Sequence, residues 1–175
     1  MIVSHILFYS LRAAAFAAVV CALYALVCWQ RGRKLRPGRL ASLAYLAALI
    51  QITVIRGGAN WAEVLNATRD APRLVPLQTT LEQLRAGAWP LVYHAVGNMC
   101  WFVPLGMLLR KRSALAALLT GAVLSIFIES MQYLLMTGVT DVDDLIFNAL
   151  GSLLGWGLAR LALAIFSCFC YNKAE

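Results

Sequence analysis

The sequence predicts an all-α protein: a polytopic membrane helix bundle with about five transmembrane helices. Of its 175 residues, 62% are hydrophobic and only 13% are charged, whereas a soluble domain carries about 25% charged residues. Several apolar runs also reach the roughly 17–25 residues that a helix needs to cross a bilayer. The length suits a single domain over residues 1–175 and leaves no room for a sizeable soluble domain.

The expected spans follow one another as five apolar runs. We expect them at about 6–29, 40–55, 91–109, 114–136 and 145–169, and the second of these is short. Between the second and third runs, residues 57–90 are polar and carry Pro72, Pro76 and Gly87. This pattern predicts an irregular segment, the longest one outside the bilayer.

The charge distribution predicts how the chain crosses the membrane. The net charge is +7, but the basic residues cluster in two short loops, at 31–39 and 110–112, so we expect no nucleic-acid partner. Basic loops are retained in the cytoplasm. Five spans with both loops inside require an N-terminus outside and a C-terminus in the cytoplasm. Residues 57–90 and the acidic turn at 137–144 then face outward.

A polar face on the fourth span marks the candidate site. Ser125, Glu129 and Gln132 are spaced at i, i+4 and i+7, so they share one face of a very apolar helix. A carboxylate there is costly and indicates a functional site with a specific partner. The candidate partners are the acidic residues of the following turn and an asparagine in the next span. They are Asp141, Asp143, Asp144 and Asn148.

The predicted depth of Asn98 places the third span in the same membrane layer as the polar face of the fourth span. At 1.5 Å per residue, Asn98 and Glu129 both lie about 10 Å below the outer ends of their spans. Asn148 lies slightly shallower in the fifth span. Because hydrocarbon offers no hydrogen bonds, we expect these polar groups to satisfy one another in the outer half of the membrane.

Small residues predict where helices approach closely. Gly151 and Gly155 form a G-x-x-x-G on the face of the fifth span that also carries Asp144 and Asn148. Gly121 lies one turn inward of Ser125 on the fourth span. Such spacing permits close helix contact, so we expect the fourth and fifth spans to pack tightly below the polar layer.

Each polar residue also has a simpler interpretation. Glu129 could be a structural hydrogen-bonding residue, and Asn98 and Ser125 could join helices. The three aspartates could form a solvated turn that caps a helix, although a cap needs only one of them. His94 could lie at the interface or, one turn from Asn98, shuttle protons.

Four motifs follow one another along the chain. They are Leu74-Val75-Pro76-Leu77, Asn98 with Phe102-Val103-Pro104-Leu105-Gly106, Glu129 with Gln132, and Asp141-Val142-Asp143-Asp144 through Asn148 to Gly151. In this order they resemble the VanZ-like family of small bacterial membrane proteins, and the resemblance is strongest over residues 56–158. The sequence departs from the family pattern where Arg73 replaces an asparagine and where Gly138-Val139-Thr140 lacks an arginine, so Arg56 or Arg73 would have to bind any anionic group.

The resemblance implies a multi-pass protein of the bacterial cytoplasmic (inner) membrane with a role at the cell envelope. The family takes its name from a protein that lowers susceptibility to teicoplanin-type glycopeptides. The resemblance supplies no established reaction.

Two classes of function remain open. In the first, the site binds a membrane lipid or lipid-linked envelope precursor and modifies it, with Glu129 as general base or metal ligand and Ser125 as nucleophile. Asp143 and Asp144 would then hold Mg²⁺, which takes one or two carboxylates and completes its shell with water and phosphate oxygens. In the second, a non-catalytic accessory protein uses the polar layer to hold a headgroup or a partner helix. A transporter fits five unrepeated spans poorly unless the chain forms a homo-oligomer.

Overall fold

The computed structural model describes residues 2–55, 64, 68 and 70–172. Within these residues the chain forms six α-helices and no strand. The helices are α1 (Ile2–Gln30), α2 (Pro37–Thr53), α3 (Gln78–Ala86), α4 (Ala88–Leu108), α5 (Ala114–Leu135) and α6 (Val142–Asn172).

Four of the described helices are long and apolar enough to cross a membrane, which confirms the membrane helix bundle. Their apolar stretches are Phe8–Gln30, Ala88–Leu108, Ala114–Leu135 and Val142–Ser167. The predicted second span is a helix, α2, but its 17 residues extend only about 25 Å. That α2 crosses the bilayer, and that the N-terminus lies outside, stay predictions.

Two boundaries differ from the prediction because polar residues enter helices. Residues 78–86, expected to be irregular, form the amphipathic helix α3. Asp143 and Asp144, expected in a turn before the last span, lie in the first turn of α6. Carboxylates are favourable there because the exposed N–H groups of a helix start carry partial positive charge.

The chain divides into two compact units, and the first comprises residues 1–69 and 131–138. Here α1 packs along α2, with Cys28, Ala47 and Leu49 in its core. Gln132, in the last turn of α5, donates a 2.9 Å hydrogen bond from Nε2 to the carbonyl of Thr53. This bond satisfies a carbonyl at the end of α2 that has no intrahelical partner.

The second unit comprises residues 70–130 and 139–175, and α4 and α6 approach closely in it. A Cβ added to Gly155 would lie 1.9 Å from the carbonyl oxygen of Val103, and one on Gly151 would lie 2.3 Å from that of Met99. The predicted G-x-x-x-G therefore faces α4. The spacing identified a small-residue face but not the helix that covers it.

The contact between α5 and α6 is nevertheless present through Gly121. A Cβ added there would lie 2.7 Å from Cβ of Ser152, and the Ser152 hydroxyl donates a 2.8 Å hydrogen bond to the carbonyl of Ala117. Helix α6 thus contacts α4 on one face and α5 on another, which positions polar residues from all three helices near its first turns.

Candidate functional site

Asp141 stands directly before α6 and connects it to α5. Its Oδ1 accepts a 2.9 Å hydrogen bond from the backbone N–H of Asp143, as a helix N-cap does. Its own N–H donates a 3.1 Å bond to Oε2 of Glu129. Both carboxylates are only 6% exposed, so Glu129 has the partner that a buried carboxylate requires, and that partner is backbone.

The segment before α3 pairs with this turn. Arg73 donates its N–H to the carbonyl of Thr140 at 2.9 Å, and its own carbonyl accepts the N–H of Val142 at 3.0 Å. The two bonds form an isolated parallel bridge between Arg73 and Asp141. Residues 70–86, far from the acidic turn in sequence, are therefore fixed beside it.

Asp143 caps α3 from a distance. The N-cap position of α3 is Leu77, whose side chain has no capping oxygen and whose φ is +63°. Oδ1 of Asp143 accepts the Leu77 N–H at 2.5 Å, and Oδ2 accepts the N–H and the hydroxyl of Thr80, each at 2.8 Å. The side chain is fully buried. One carboxylate thus serves the positive ends of both α3 and α6.

Thr79 extends the network to a cation. Its hydroxyl donates to Oδ2 of Asp141 and accepts a 3.2 Å bond from Nη1 of Arg73. The Arg73 side chain is half-exposed and lies 3.9 Å from Glu82. Such an exposed pair contributes little stability, so the remaining guanidinium donors of Arg73 can be used by a ligand.

The polar cluster of His94, Asn98 and Asp144, termed here the half-buried group, remains partly accessible. Nε2 of His94 lies 2.6 Å from Oδ1 of Asp144, and these side chains are 19% and 22% exposed. Asn98, one turn further along α4, donates a 2.5 Å bond to the same oxygen. Nδ1 of His94 is buried and has no hydrogen-bond partner among the described residues.

Ser125 and Asn148 form a separate buried pair. Nδ2 of Asn148 donates a 2.9 Å hydrogen bond to Oγ of Ser125, and both residues are almost fully buried. The bond joins α5 to α6 where hydrocarbon would leave both groups unsatisfied. This geometry fits the simpler interpretation of Ser125 as a residue that joins helices.

The structure brings most of the predicted site residues into the second unit. They are Arg73, Asn98, Ser125, Glu129, Asp141, Asp143, Asp144 and Asn148. Gln132 belongs to the first unit, where Thr53 accepts its amide hydrogen. Arg56 lies outside the described residues.

The sequence interpretation missed Thr79 and Thr80 and did not identify the partner of His94. Thr79 and Thr80 were not singled out because threonine is ordinary in a polar segment. Their adjacency just after the Leu-Val-Pro-Leu motif was the available signal. His94 was considered at the interface or as a proton shuttle, and its spacing of four residues from Asn98 was the clue that both contact one partner.

The predicted cation site stays a prediction. Both oxygens of Asp143 already accept hydrogen bonds from Leu77 and Thr80. In the part of the chain that the structure describes, no three histidine, cysteine or acidic residues are grouped to hold a metal ion. Asp144, which is partly exposed, is the more accessible of the two predicted ligands.

One comparison with known proteins gives a result. A family model described as VanZ/LLP1 matches residues 42–164, more than half of the chain. The match includes every residue of the polar network described above and agrees with the resemblance noted from the motifs. No curated protein and no solved structure matches the chain.

Proposed function

Because this chain belongs to the VanZ/LLP1 family, we propose that it binds a lipid or lipid-linked envelope precursor in the bacterial cytoplasmic membrane. The ligand's polar head would contact the half-buried group. The observation that carries the proposal is the accessibility of His94 and Asp144 in a network whose other carboxylates are almost fully buried. Ionisable residues within membrane helices are costly and mark binding sites and pathways.

The chemistry of the half-buried group suits a ligand that carries hydroxyl groups. Asp144 accepts a hydrogen bond from Asn98 at Oδ1 and contacts His94 through the same oxygen. Its side chain is still 22% exposed, and a carboxylate has acceptor sites on both of its oxygens. A ligand hydroxyl, such as a sugar or glycerol headgroup carries, can donate to this accessible carboxylate.

Arg73 is the proposed contact for an anionic part of the ligand. The bridge to Asp141 fixes its backbone, and Thr79 accepts one of its guanidinium hydrogens. A guanidinium has five N–H donors in a planar fork that matches phosphate oxygens. Arg73 thereby fills the role that the arginine before the acidic turn would have in relatives.

A catalytic extension uses His94 in place of Glu129. Asp144 contacts Nε2 of His94 at 2.6 Å, so a proton can pass between the two groups at this partly exposed contact. Glu129, by contrast, is buried and accepts a backbone N–H. Binding requires only the half-buried group, and turnover would require proton transfer at His94 in addition.

The buried part of the network favours the non-catalytic candidate. Asp141 and Asp143 accept hydrogen bonds at both of their oxygens, and Glu129 accepts one from Asp141. In this candidate the network serves to dock α3 on the first turn of α6, and the protein acts through a partner. The two candidates predict different effects on lipid binding when residues of the half-buried group are substituted.

The deciding experiment is native mass spectrometry of the protein purified in mild detergent. We expect the wild type to retain a phospholipid or polyprenyl-linked lipid. His94→Gln and Asp144→Asn should each lower retention roughly tenfold or more, because each removes an ionisable group that the ligand head would contact, and a hydrogen bond to a charged group contributes about 1.5–3 kcal/mol. Ser130→Ala is the matched control, since the Ser130 hydroxyl is exposed and, among the described residues, donates to the carbonyl of Ile126 in its own helix.

Equal retention in all variants, with thermal stability preserved, would favour the non-catalytic candidate.

The same variants test the envelope role. Expression of the wild type in a sensitive bacterium should lower susceptibility to teicoplanin-type glycopeptides, and Asp144→Asn at equal membrane abundance should not. If the wild type leaves susceptibility unchanged, this protein does not confer glycopeptide resistance. The proposal of lipid binding is then tested by the mass spectrometry alone.

A further inference from the structure

The loop between α1 and α2 has a defined conformation. Gly32 has φ +60° and donates its N–H to the carbonyl of Trp29 at 3.1 Å, while Arg33 donates to Cys28 at 2.8 Å. These two bonds form a Schellman motif, which ends a helix and satisfies its last carbonyls. Pro37 then starts α2. The basic residues between the helices are therefore held by an ordered backbone.

These residues surround a cavity of about 500 Å³, termed here the basic pocket. Ligand sites usually have volumes of about 300–1,000 Å³. The last two turns of α1 supply the less polar part of its wall. The lining residues are Tyr24, Val27, Cys28, Arg31, Arg33, Lys34, Arg36 and Arg39.

The basic pocket lies in a stretch of sequence that has no acidic residue. The sequence contains no aspartate or glutamate before Glu63. No ion pair joins any of the five basic lining residues to a carboxylate among the described residues. Five like charges around one cavity repel one another, so an external anion would stabilise their arrangement.

The start of α2 adds a second feature that favours an anion. Arg36, which lines the basic pocket, is the N-cap residue of α2 and forms no side-chain capping bond. The first turn of a helix carries partial positive charge, which favours a nearby anion. Here Pro37 has no N–H and Arg39 donates its own to the carbonyl of Arg36 at 3.0 Å, so the start of α2 contributes this partial charge and the guanidinium forks of Arg36 and Arg39, not a set of free backbone donors.

We propose that the basic pocket binds a phosphate group, and that its source is the headgroup of an anionic phospholipid. The buried Cys28 and the neighbouring Tyr24 and Val27 belong to a helix that is apolar enough to span the membrane, so the pocket opens where that helix ends. A lipid phosphate occupies this level of a bilayer, and basic pockets between helices on the cytoplasmic side bind such headgroups.

Basic residues that only set the orientation of the chain in the membrane would not need to surround a pocket. Retention of a loop in the cytoplasm depends on the number of basic residues near the ends of spans, not on a cavity between them. The second basic loop, Arg110 to Arg112, provides the comparison because it carries three basic residues and has the same predicted orientation. Equal removal of charge from both loops separates a binding pocket from a topology signal.

The experiment measures ligand adducts on the full chain by native mass spectrometry. The probes are phosphatidylglycerol, phosphatidylcholine and inorganic phosphate, each titrated into delipidated protein. Saturable binding of phosphatidylglycerol is expected, weakened roughly tenfold or more by the triple change Arg33→Gln, Lys34→Gln, Arg36→Gln. The matched control, Arg110→Gln, Lys111→Gln, Arg112→Gln, should bind as the wild type does.

A charge-preserving variant keeps the test valid if loss of charge alters insertion. Arg33→Lys with Arg36→Lys retains the topology signal but loses the bidentate forks, and it should still weaken phosphatidylglycerol binding. Adducts with inorganic phosphate but not with phosphatidylglycerol would keep the phosphate site and overturn the lipid source. Equal binding by both glutamine variants would overturn the site. Neither outcome depends on His94 or Asp144, so failure here leaves the proposed function unaffected.

Discussion

At the scale of single residues, the central feature is that one buried carboxylate is fully satisfied by another segment of the chain. Asp143 is almost inaccessible to solvent, and a buried charge is tolerated only when hydrogen bonds compensate it. Leu77 and Thr80 provide three donors. Leu77 cannot cap α3 itself, so Asp143 takes the place of the missing cap. The same contact thus stabilises the carboxylate and fixes where α3 begins.

We expect Asp143→Asn to destabilise the protein by about 2–3 kcal/mol. The asparagine side chain has the shape of the carboxylate, but its NH₂ group cannot accept a hydrogen bond. An N–H or O–H group of Leu77 or Thr80 would therefore lose its acceptor. The measurement is thermal unfolding in detergent, combined with limited trypsin cleavage after Arg85, the basic residue in the last turn of α3. Cleavage at Arg85 should become faster because α3 detaches more often.

Glu82→Gln is the matched control for Asp143→Asn. Glu82 is also acidic, but it is half-exposed in its 3.9 Å pair with Arg73, so its change should shift stability by less than about 0.5 kcal/mol. If Asp143→Asn unfolds and is cleaved like Glu82→Gln, Asp143 does not hold α3 in place.

At the scale of helices, the composition predicted the positions of the long helices well, but it did not predict as well which helices pack against each other. Long apolar runs define spans because a bilayer demands about 20 apolar residues per crossing, and α4, α5 and α6 begin and end near the expected positions. The helix that faces Gly151 and Gly155 could not be predicted, because any third helix can approach a small-residue face. Helix α3 was not predicted because it is a polar helix of only nine residues. Its N-terminus is capped by Asp143, which is distant in sequence.

Glycine substitutions on α4 test the close contact with α6. A Cβ on Gly106 would lie 1.8 Å from the carbonyl oxygen of Ser152, and that backbone oxygen cannot move without displacing α6. We expect Gly106→Ala to destabilise the protein by about 1–3 kcal/mol, measured as a lower unfolding temperature in detergent.

Gly97→Ala is the control on the same helix. No atom lies within 4 Å of a Cβ added there. Alanine is favoured over glycine in a helix by about 1 kcal/mol, so Gly97→Ala should be neutral or stabilising. Similar unfolding temperatures for the two variants would mean that α4 and α6 are not in backbone contact at Gly106.

At the scale of the whole molecule, the sequence singled out polar residues that the structure joins by hydrogen bonds, because hydrocarbon forces isolated polar groups to find one another. Asn98, Glu129 and Asn148 were recognised by their depth in otherwise apolar helices. Thr79 and Thr80 were not, since a polar segment gives no such contrast. The pairing of particular groups, such as Asn98 with Asp144 instead of Glu129, depends on helix rotation, which side-chain periodicity defines only loosely.

The predicted orientation of the chain in the membrane is testable with single cysteines. In a background with all native cysteines replaced by serine, Glu82→Cys places a thiol on α3, where the side chain is about half-exposed. Lys111→Cys places one in the second basic loop. Because basic loops remain in the cytoplasm, a membrane-impermeant maleimide should label Glu82→Cys in intact cells and Lys111→Cys only after permeabilisation. The reverse pattern would move the half-buried group to the cytoplasmic side, where an envelope precursor is presented before export. This measurement therefore decides which lipids the half-buried group can encounter.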